Sequence, residues 1–207
     1  MKFIKNVLFD FGGVLAEEGF KKGMEAIALE AGINPSDFFK TAEELVYTTG
    51  YVLGRVPESD YWQALKKATG LEAEEACLRR EILDRFILRP EMFRLAEHLK
   101  NKGLGVGILS DQTNWLEELD RKFGIFKRFD LIFNSYRSHK TKRDPSWFAE
   151  IASELGSPPE MILFVDDNLG NVGRAAAAGW RTIHFQNEAQ FREALAQYPD
   201  LNDRISR

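Results

Sequence analysis

The sequence predicts an α/β protein whose parallel sheet is covered by helices on both faces. After Pro90, short apolar segments alternate with helical patterns, as expected for parallel strands joined by crossover helices. Two of these segments, "LIF" and "MILFV", are apolar throughout, which favours strands buried on both faces of a sheet. A third observation is a long helical block before this alternating part, which predicts an inserted helical unit.

The first strand is predicted at residues 7–11, an apolar segment that ends at two glycines. Residues 19–88 then carry only helical patterns, with Pro35 and Pro57 where helices would begin and Gly70 where one would end. Because a single strand needs partners, the first strand must join the later sheet. The helical block is therefore an insertion between the first strand and the second.

This organisation divides the chain into two units. We predict an α/β core formed by residues 1–14 and 90–207, and a helical cap formed by residues 15–89. An insertion that leaves the sheet beside the carboxyl end of a strand can cover that end, which is where open α/β sheets bind ligands.

The later elements follow from the alternation. Helices are predicted at about residues 91–102, 114–123, 147–155, 169–178 and 188–197. Strands are predicted at about residues 104–110, 129–135, 161–167 and 180–185.

Composition and charge exclude several classes of protein. The net charge of −4 gives no basis for binding nucleic acid or an anionic membrane surface. No apolar stretch approaches the roughly 20 residues of a membrane-spanning helix, and the first apolar segment is too short for a signal peptide. The single cysteine, Cys77, allows no internal disulfide, and its helical context predicts a buried thiol. We expect a cytoplasmic protein, whose oligomeric state the sequence does not indicate.

Polar residues recur at the ends of the predicted strands. They are Asp10, Ser110, Asp111, Asp166 and Asp167, with Lys142 in the loop after the third strand. The carboxyl ends of parallel strands share one edge of the sheet. Carboxylates gathered there repel each other, and Mg²⁺ is a cation that takes oxygen ligands together with phosphate oxygens. A hydroxyl and an ammonium group suit phosphate binding, and an aspartate facing a phosphate can act as a nucleophile.

Each of these residues also has a purely structural interpretation. Asp10 before two glycines is typical of a turn, and Ser110 after a strand is typical of a helix cap. Lys142 stands among other charges in a loop, and "VDDNLGN" could simply begin the next helix. Their shared placement at strand ends supports a site better than any single residue does.

Four segments, in order, resemble the motifs of the haloacid dehalogenase (HAD) superfamily, in the subgroup with a small helical cap and a Rossmann-like core. "VLFDFGGVL" resembles the first motif, with Asp10 as nucleophile, and "GILSDQ" the second, with Ser110 binding phosphoryl oxygens. "SYRSHKTKRDPSWF" resembles the third motif, which assigns Lys142, and "ILFVDDNLGNVGRAAAAGW" the fourth, with Asp166 and Asp167 serving the metal.

The resemblance also implies a ligand set. Mg²⁺ would contact Asp10, the main-chain carbonyl of Gly12 and Asp167, with Asp166 acting through water. The phosphate-binding residues would be Ser110, Asp111, Lys142, Gly12 and Gly13.

The chain departs from the family pattern at three positions. Gly12 stands where family phosphatases usually carry the aspartate that protonates the leaving oxygen and then activates water. Glu17 and Glu18 are the nearest carboxylates downstream that could supply this proton. His139 stands where Gly is common, either to touch substrate or to replace a turn residue, and Arg143 stands where Pro is common.

Three functions remain open on the sequence. The first is a Mg²⁺-dependent phosphatase that acts on a small phosphorylated metabolite through an aspartyl-phosphate at Asp10, with turnover lowered by the loss of an acid/base at Gly12. The second is a regulatory module that binds phosphate and metal but turns over little. The third is a 2-haloacid dehalogenase, a chemistry that needs no metal in the family, so the Asp166–Asp167 pair argues against it.

Overall fold

The computed structural model describes residues 3–198 and residue 201. Residues 1–2, 199–200 and 202–207, which the predicted core includes, lie outside the described residues. The strands are β1 (Asn6–Phe9), β2 (Gly105–Ser110), β3 (Leu131–Asn134), β4 (Ile162–Asp166) and β5 (Arg181–His184). They form one parallel sheet in the order β3-β2-β1-β4-β5, which confirms the predicted fold class and places the first strand at the centre.

The helices fall into two groups along the chain. Those between β1 and the start of the alternating part are α1 (Gly19–Glu30), α2 (Pro35–Thr48), α3 (Glu58–Thr69) and α4 (Glu75–Leu83). The later ones are α5 (Pro90–Asn101), α6 (Trp115–Phe123), α7 (Ser135–Ser138), α8 (Pro145–Glu154), α9 (Leu169–Ala177) and α10 (Glu188–Ala196). Within the described part of the chain, short 3-10 helices lie at Tyr51–Leu53, Phe126–Arg128 and Pro159–Met161.

Alternation along the central strand explains why helices cover both faces of the sheet. Val7 and Phe9 are fully buried in one apolar cluster, which also contains residues of α5, α6 and α10. Leu8, between them, is fully buried in a second cluster, with residues of α8 and α9. Since successive side chains of a strand point to opposite faces, β1 is buried on both sides.

The segment between β1 and α5 leaves and rejoins the core at neighbouring points. Ala16 pairs with Leu88 in an isolated antiparallel bridge, and the amide of Arg89 donates to the carbonyl of Leu15 over 2.9 Å. The segment in between contains α1–α4, in agreement with its helical pattern. Its status as a separate cap domain stays a prediction.

The helix ends of the inserted segment follow its prolines and glycine, whereas its cysteine is not where the sequence predicts. Pro35 is the first residue of α2, Pro57 directly precedes α3, and Gly70 ends α3 with a φ of 72°, as the punctuation of the sequence indicates. The expected burial of Cys77 is wrong, because the side chain is exposed on α4. The buried positions of that helix are Leu78 and Ile82, which are four residues apart and leave Cys77 on another face. Among the described residues, no helix is both long and apolar enough to cross a membrane.

Candidate active site

The carboxyl ends of the three central strands bring polar side chains together. Asp10 directly follows β1, Ser110 is the last residue of β2 and Asp166 is the last residue of β4. The hydroxyl of Ser110 donates to Oδ1 of Asp10 over 2.7 Å, and the amide of Phe11 donates to the same oxygen over 2.7 Å. Two donors on one oxygen hold the Asp10 carboxylate in a fixed orientation.

Lys142 reaches the same carboxylates from the loop after β3. Its Nζ lies 2.7 Å from Oδ2 of Asp10 and 2.7 Å from Oδ2 of Asp166, and the residue is only 1% exposed. Lys140, two residues earlier, pairs instead with Glu150 on α8. The loop therefore presents Lys142, the residue that the third motif assigns, to the strand ends.

The backbone of Lys142 is held on both sides. Its amide donates to Oδ1 of Asp111 over 2.8 Å, and its carbonyl accepts from Nε of Arg174 over 2.7 Å. The other oxygen of Asp111 accepts from the hydroxyl of Tyr47 on α2 over 3.1 Å. Asp111 thus lines the site but uses both oxygens to position the lysine loop and Tyr47.

Helix α9 supplies partners that the sequence prediction missed. The side-chain nitrogen Nδ2 of Asn171 donates to Oδ1 and Oδ2 of Asp166 over 3.2 and 3.1 Å. Nη2 of Arg174 in turn donates to Oδ1 of Asn171 over 2.6 Å. The backbone amide of Asn168 also donates to Asp166. Asn171 and Arg174 are three residues apart and so share a helix face, which is the one sequence signal that could have indicated them.

A group of three carboxylates offers a metal site. One oxygen from each of Asp10, Asp166 and Asp167 lies within 4.8 Å of the others. Gly13 has a φ of 81°, and a Cβ added there would overlap the carboxylate of Asp167, so a side chain at this position would displace a member of the group. Oxygen ligands at this spacing fit Mg²⁺. Gly12 lines the adjoining cavity.

The charges of the site are unbalanced. Burial alone would lower the pKa of Lys142, but the Asp10 and Asp166 carboxylates outweigh it and raise that pKa, which keeps the ammonium charged. Burial and the neighbouring Asp166 raise the pKa of Asp167 above its usual range. Burial, together with Asp167, raises the pKa of Glu18 to about 7. These carboxyl groups hold their protons more strongly than usual because they are buried close together, and a bound cation would favour their ionised forms.

A cavity of about 410 Å³ opens from these groups toward the inserted helices. Its sheet side carries Asp10, Gly12, Ser110, Asp111, Lys142 and Asp167. Its opposite side carries Glu18, Phe20, Lys21, Phe39, Val46 and Tyr47. The phosphate-binding candidates therefore face a mixed wall of aromatic, aliphatic and charged side chains, to which Glu43 of α2 also belongs. Gly13 is not among the residues that line the cavity and packs against the carboxylate of Asp167.

Both departures in the third motif contact the inserted helical segment. His139 has a φ of 56°, a left-handed conformation that suits Gly, and its Nδ1 lies 2.7 Å from the carbonyl oxygen of Leu53. The guanidinium of Arg143 lies 3.4 Å from the centre of the Tyr47 ring and 3.5 Å from a carboxylate oxygen of Glu43. His139 thus takes a turn conformation and contacts the inserted segment through its side chain. Arg143 packs on the ring of Tyr47 in the same segment.

Proteins of known activity resemble this chain over different shares of their length. Drimenol cyclase drtB of Aspergillus calidoustus is 28% identical over 156 residues, which are 70% of this chain and only 28% of that protein. Enolase-phosphatase E1 of Aquifex aeolicus (strain VF5) is 24% identical over 191 residues, which are 91% of this chain and 85% of that protein.

Solved structures share the fold. A HAD family enzyme from Bacteroides thetaiotaomicron, bt-2542, in complex with magnesium and inorganic phosphate has a TM-score of 0.68 at 18% identity, and the match covers 88% of this chain and 94% of that chain. An L-2-haloacid dehalogenase from Xanthobacter autotrophicus has a TM-score of 0.65 at 23% identity, covering 94% and 82%. The family model of haloacid dehalogenase-like hydrolases matches residues 4–179. The chain therefore belongs to the haloacid dehalogenase-like hydrolases.

Proposed function

We propose that this hydrolase is a Mg²⁺-dependent phosphatase of a small phosphorylated metabolite that acts through an aspartyl-phosphate at Asp10. The observation that carries the proposal is the pairing of Asp10 with both Ser110 and Lys142 at 2.7 Å, at the floor of a cavity large enough for a metabolite. The phosphatase named among the relatives and the neighbour solved with magnesium and phosphate support the same chemistry.

The side chains divide the work of phosphoryl transfer. The Asp10 carboxylate, held by its two donors, attacks phosphorus, while the Ser110 hydroxyl and the Lys142 ammonium bind the phosphoryl oxygens. Asp10, the Gly12 carbonyl and Asp167 would hold Mg²⁺, with Asp166 acting through water. The ion, when bound, would neutralise the charge that the phosphate brings to these carboxylates.

A regulatory phosphate-binding module is the second candidate, because Gly12 brings no carboxyl group of its own for acid/base chemistry. Dehalogenation is the third candidate, since a dehalogenase shares the fold. The Asp166–Asp167 pair, which that chemistry does not require, argues against it.

A substrate panel separates the three functions. We expect the wild-type protein to hydrolyse some phosphate esters with Mg²⁺, to lose this activity in chelator and to leave halogenated acids intact. Asp10→Asn should abolish hydrolysis because the amide is a poor nucleophile, whereas Asp37→Asn, at an exposed position of α2, should not. Trapping with beryllofluoride should occupy the wild-type site.

Three results would contradict the proposal. Full activity of Asp10→Asn above contaminant level would exclude this nucleophile. Phosphate and Mg²⁺ binding without turnover would favour the regulatory module. Metal-independent release of halide would favour the dehalogenase.

A further inference from the structure

The carboxyl group of Glu18 lies next to the position at which an aspartate side chain at residue 12 would begin. A Cβ added to Gly12 would lie 3.4 Å from Oε2 of Glu18 and 3.7 Å from its Cδ. Gly12 and Glu18 both line the cavity that contains Asp10. A carboxyl group that the chain lacks at position 12 is thus present a few ångströms away, on the residue that precedes α1.

One oxygen of this carboxyl group, Oε2, is left unpaired by the described residues. Oε2 of Glu18 is buried and has no hydrogen-bond partner among the described residues. Glu18 is the residue at the N-cap position of α1, but its side chain makes no capping hydrogen bond. A buried polar atom without a partner costs free energy, so hydrogen bonding within the protein does not account for the position of Oε2.

Close packing fixes Glu18 where it is. A Cβ added to the next residue, Gly19, would lie 2.5 Å from the ring of Phe86, so the start of α1 sits directly on that ring. The same ring lies 3.6 Å from the position of a Cβ on Gly12. Phe86 therefore holds the backbone of Glu18 against the loop that follows Asp10.

We propose that Glu18 is the proton donor and acceptor of the reaction, in place of the carboxyl group absent at Gly12. This inference rests on the proposed phosphatase function. It assigns the acid/base step to the inserted helical segment, whereas the nucleophile belongs to the sheet.

The proton then follows a closed path. As an oxygen of Asp10 bonds to phosphorus, the bond between phosphorus and the ester oxygen breaks, and that oxygen takes the proton of the Glu18 carboxyl group to leave as an alcohol. In the second step the Glu18 carboxylate takes a proton from water as the water oxygen attacks phosphorus. The bond between phosphorus and Asp10 breaks, inorganic phosphate leaves, and Glu18 is protonated again.

The test compares Glu18→Gln with Glu17→Gln on two esters. Glu17 is the matched control because it pairs with Lys22 and Arg89 and does not line the cavity. An alkyl phosphate needs a proton on its leaving oxygen, so Glu18→Gln should lower its turnover by roughly 10²–10⁴-fold. With p-nitrophenyl phosphate, which leaves without protonation, the first equivalent of nitrophenolate should be released at a nearly unchanged rate, followed by slow turnover. Glu17→Gln should leave the ratio of the two esters unchanged.

A double variant tests whether a carboxyl group at residue 12 can replace that of Glu18. Gly12 does not have the positive φ of Gly13, and a Cβ there meets Glu18 only at ordinary contact distance. Gly12→Asp combined with Glu18→Gln should therefore regain at least tenfold of the lost alkyl phosphate turnover. Gly12→Asp alone should gain little, because the proton donor is already present.

The outcomes separate the two proposals. Wild-type hydrolysis of both esters, together with an unchanged ratio of their kcat/KM values in Glu18→Gln, would overturn the role of Glu18 alone, because kcat/KM reports the step in which the alcohol leaves. Equal loss of both esters, including the first equivalent of nitrophenolate, in a variant that still binds Mg²⁺ and orthovanadate by calorimetry would overturn it as well. A wild-type protein that hydrolyses neither ester would contradict the phosphatase proposal, and the role of Glu18 would fall with it.

Discussion

Lys142 joins three parts of the site through three different groups. Its ammonium pairs with Asp10 and Asp166, its amide bonds to Asp111, and its carbonyl accepts from Arg174. A buried charge is tolerated only when it is paired and hydrogen-bonded. The burial of Lys142 therefore depends on the carboxylates, and their closeness to one another depends in turn on Lys142.

Removing one carboxylate should separate metal binding from stability. In Asp167→Asn, repulsion with Asp166 is lost, so the metal-free protein should be at least as stable as wild type. The wild-type protein should gain about 2.7 kcal/mol at a Mg²⁺ concentration 100-fold above its dissociation constant, and the variant should lose most of this gain. Thermal unfolding with and without Mg²⁺ measures both effects. An undiminished gain in Asp167→Asn would show that Asp167 is not a ligand.

Individual site residues were predictable where their position follows from topology. Asp10, Ser110 and Asp166 stand at the ends of apolar segments, so a parallel sheet was enough to bring them together. Asn171 and Arg174 were missed because their contacts depend on how α9 is rotated against β4. Glu18 was one of two candidates downstream of Gly12, and only the packing of α1 distinguishes it from Glu17.

At the scale of elements, two glycines let α1 approach its neighbours closely. Gly19 and Gly23 are one turn apart, and a Cβ on Gly23 would lie 2.8 Å from the backbone Cα of Ile82 in α4. Glycine is unfavourable inside a helix by itself, so the close approach explains its use here. The contact sets the position of the residues at the start of α1, including Glu18.

Two separate glycine-to-alanine variants test this packing. Gly23→Ala should lower the free energy of unfolding by about 1–3 kcal/mol, because the added methyl group forces the helices apart. Gly173→Ala in α9, where a Cβ would meet nothing within 4 Å, should instead raise it by about 0.5–1 kcal/mol. Urea unfolding of both variants gives the comparison, and changes of the same sign would argue against a close contact between α1 and α4.

The regular elements were largely predictable because each carries a clear period. Helix α9, predicted at 169–178, runs over Leu169–Ala177, and β4, predicted at 161–167, runs over Ile162–Asp166. The four-residue helix α7 (Ser135–Ser138) was missed, since it is too short to show a helical period. Its end is set by the left-handed conformation of His139, which the sequence left open between a turn and a substrate contact.

For the molecule as a whole, the buried carboxylates predict an unusual dependence of stability on pH. Glu18 has a pKa of about 7, and that of Asp167 is also raised. Between pH 5 and 7.5 the folded protein therefore retains protons that the unfolded chain has lost, and the free energy of unfolding should fall as pH rises.

The raised pKa of Glu18 also sets how large this change in the free energy of unfolding can be. The contribution of Glu18 is at most about 3 kcal/mol, so urea unfolding in chelator at pH 5 and pH 7.5 should resolve it. Glu18→Gln should reduce the difference, and Mg²⁺ should restore stability at pH 7.5. A metal-free protein that becomes more stable toward pH 7.5 would contradict this assignment of charge.

The central position of β1 also determines when the sheet can form during synthesis of the chain. Val7 pairs with Val106 on one side and Leu163 on the other, so the strand synthesised first waits for both neighbours to leave the ribosome. At ordinary rates of translation the wait is on the order of ten seconds. Nascent chains arrested before β4 should therefore remain open to protease near Val7, and the segment around β1 is the part that a chaperone would have to shield.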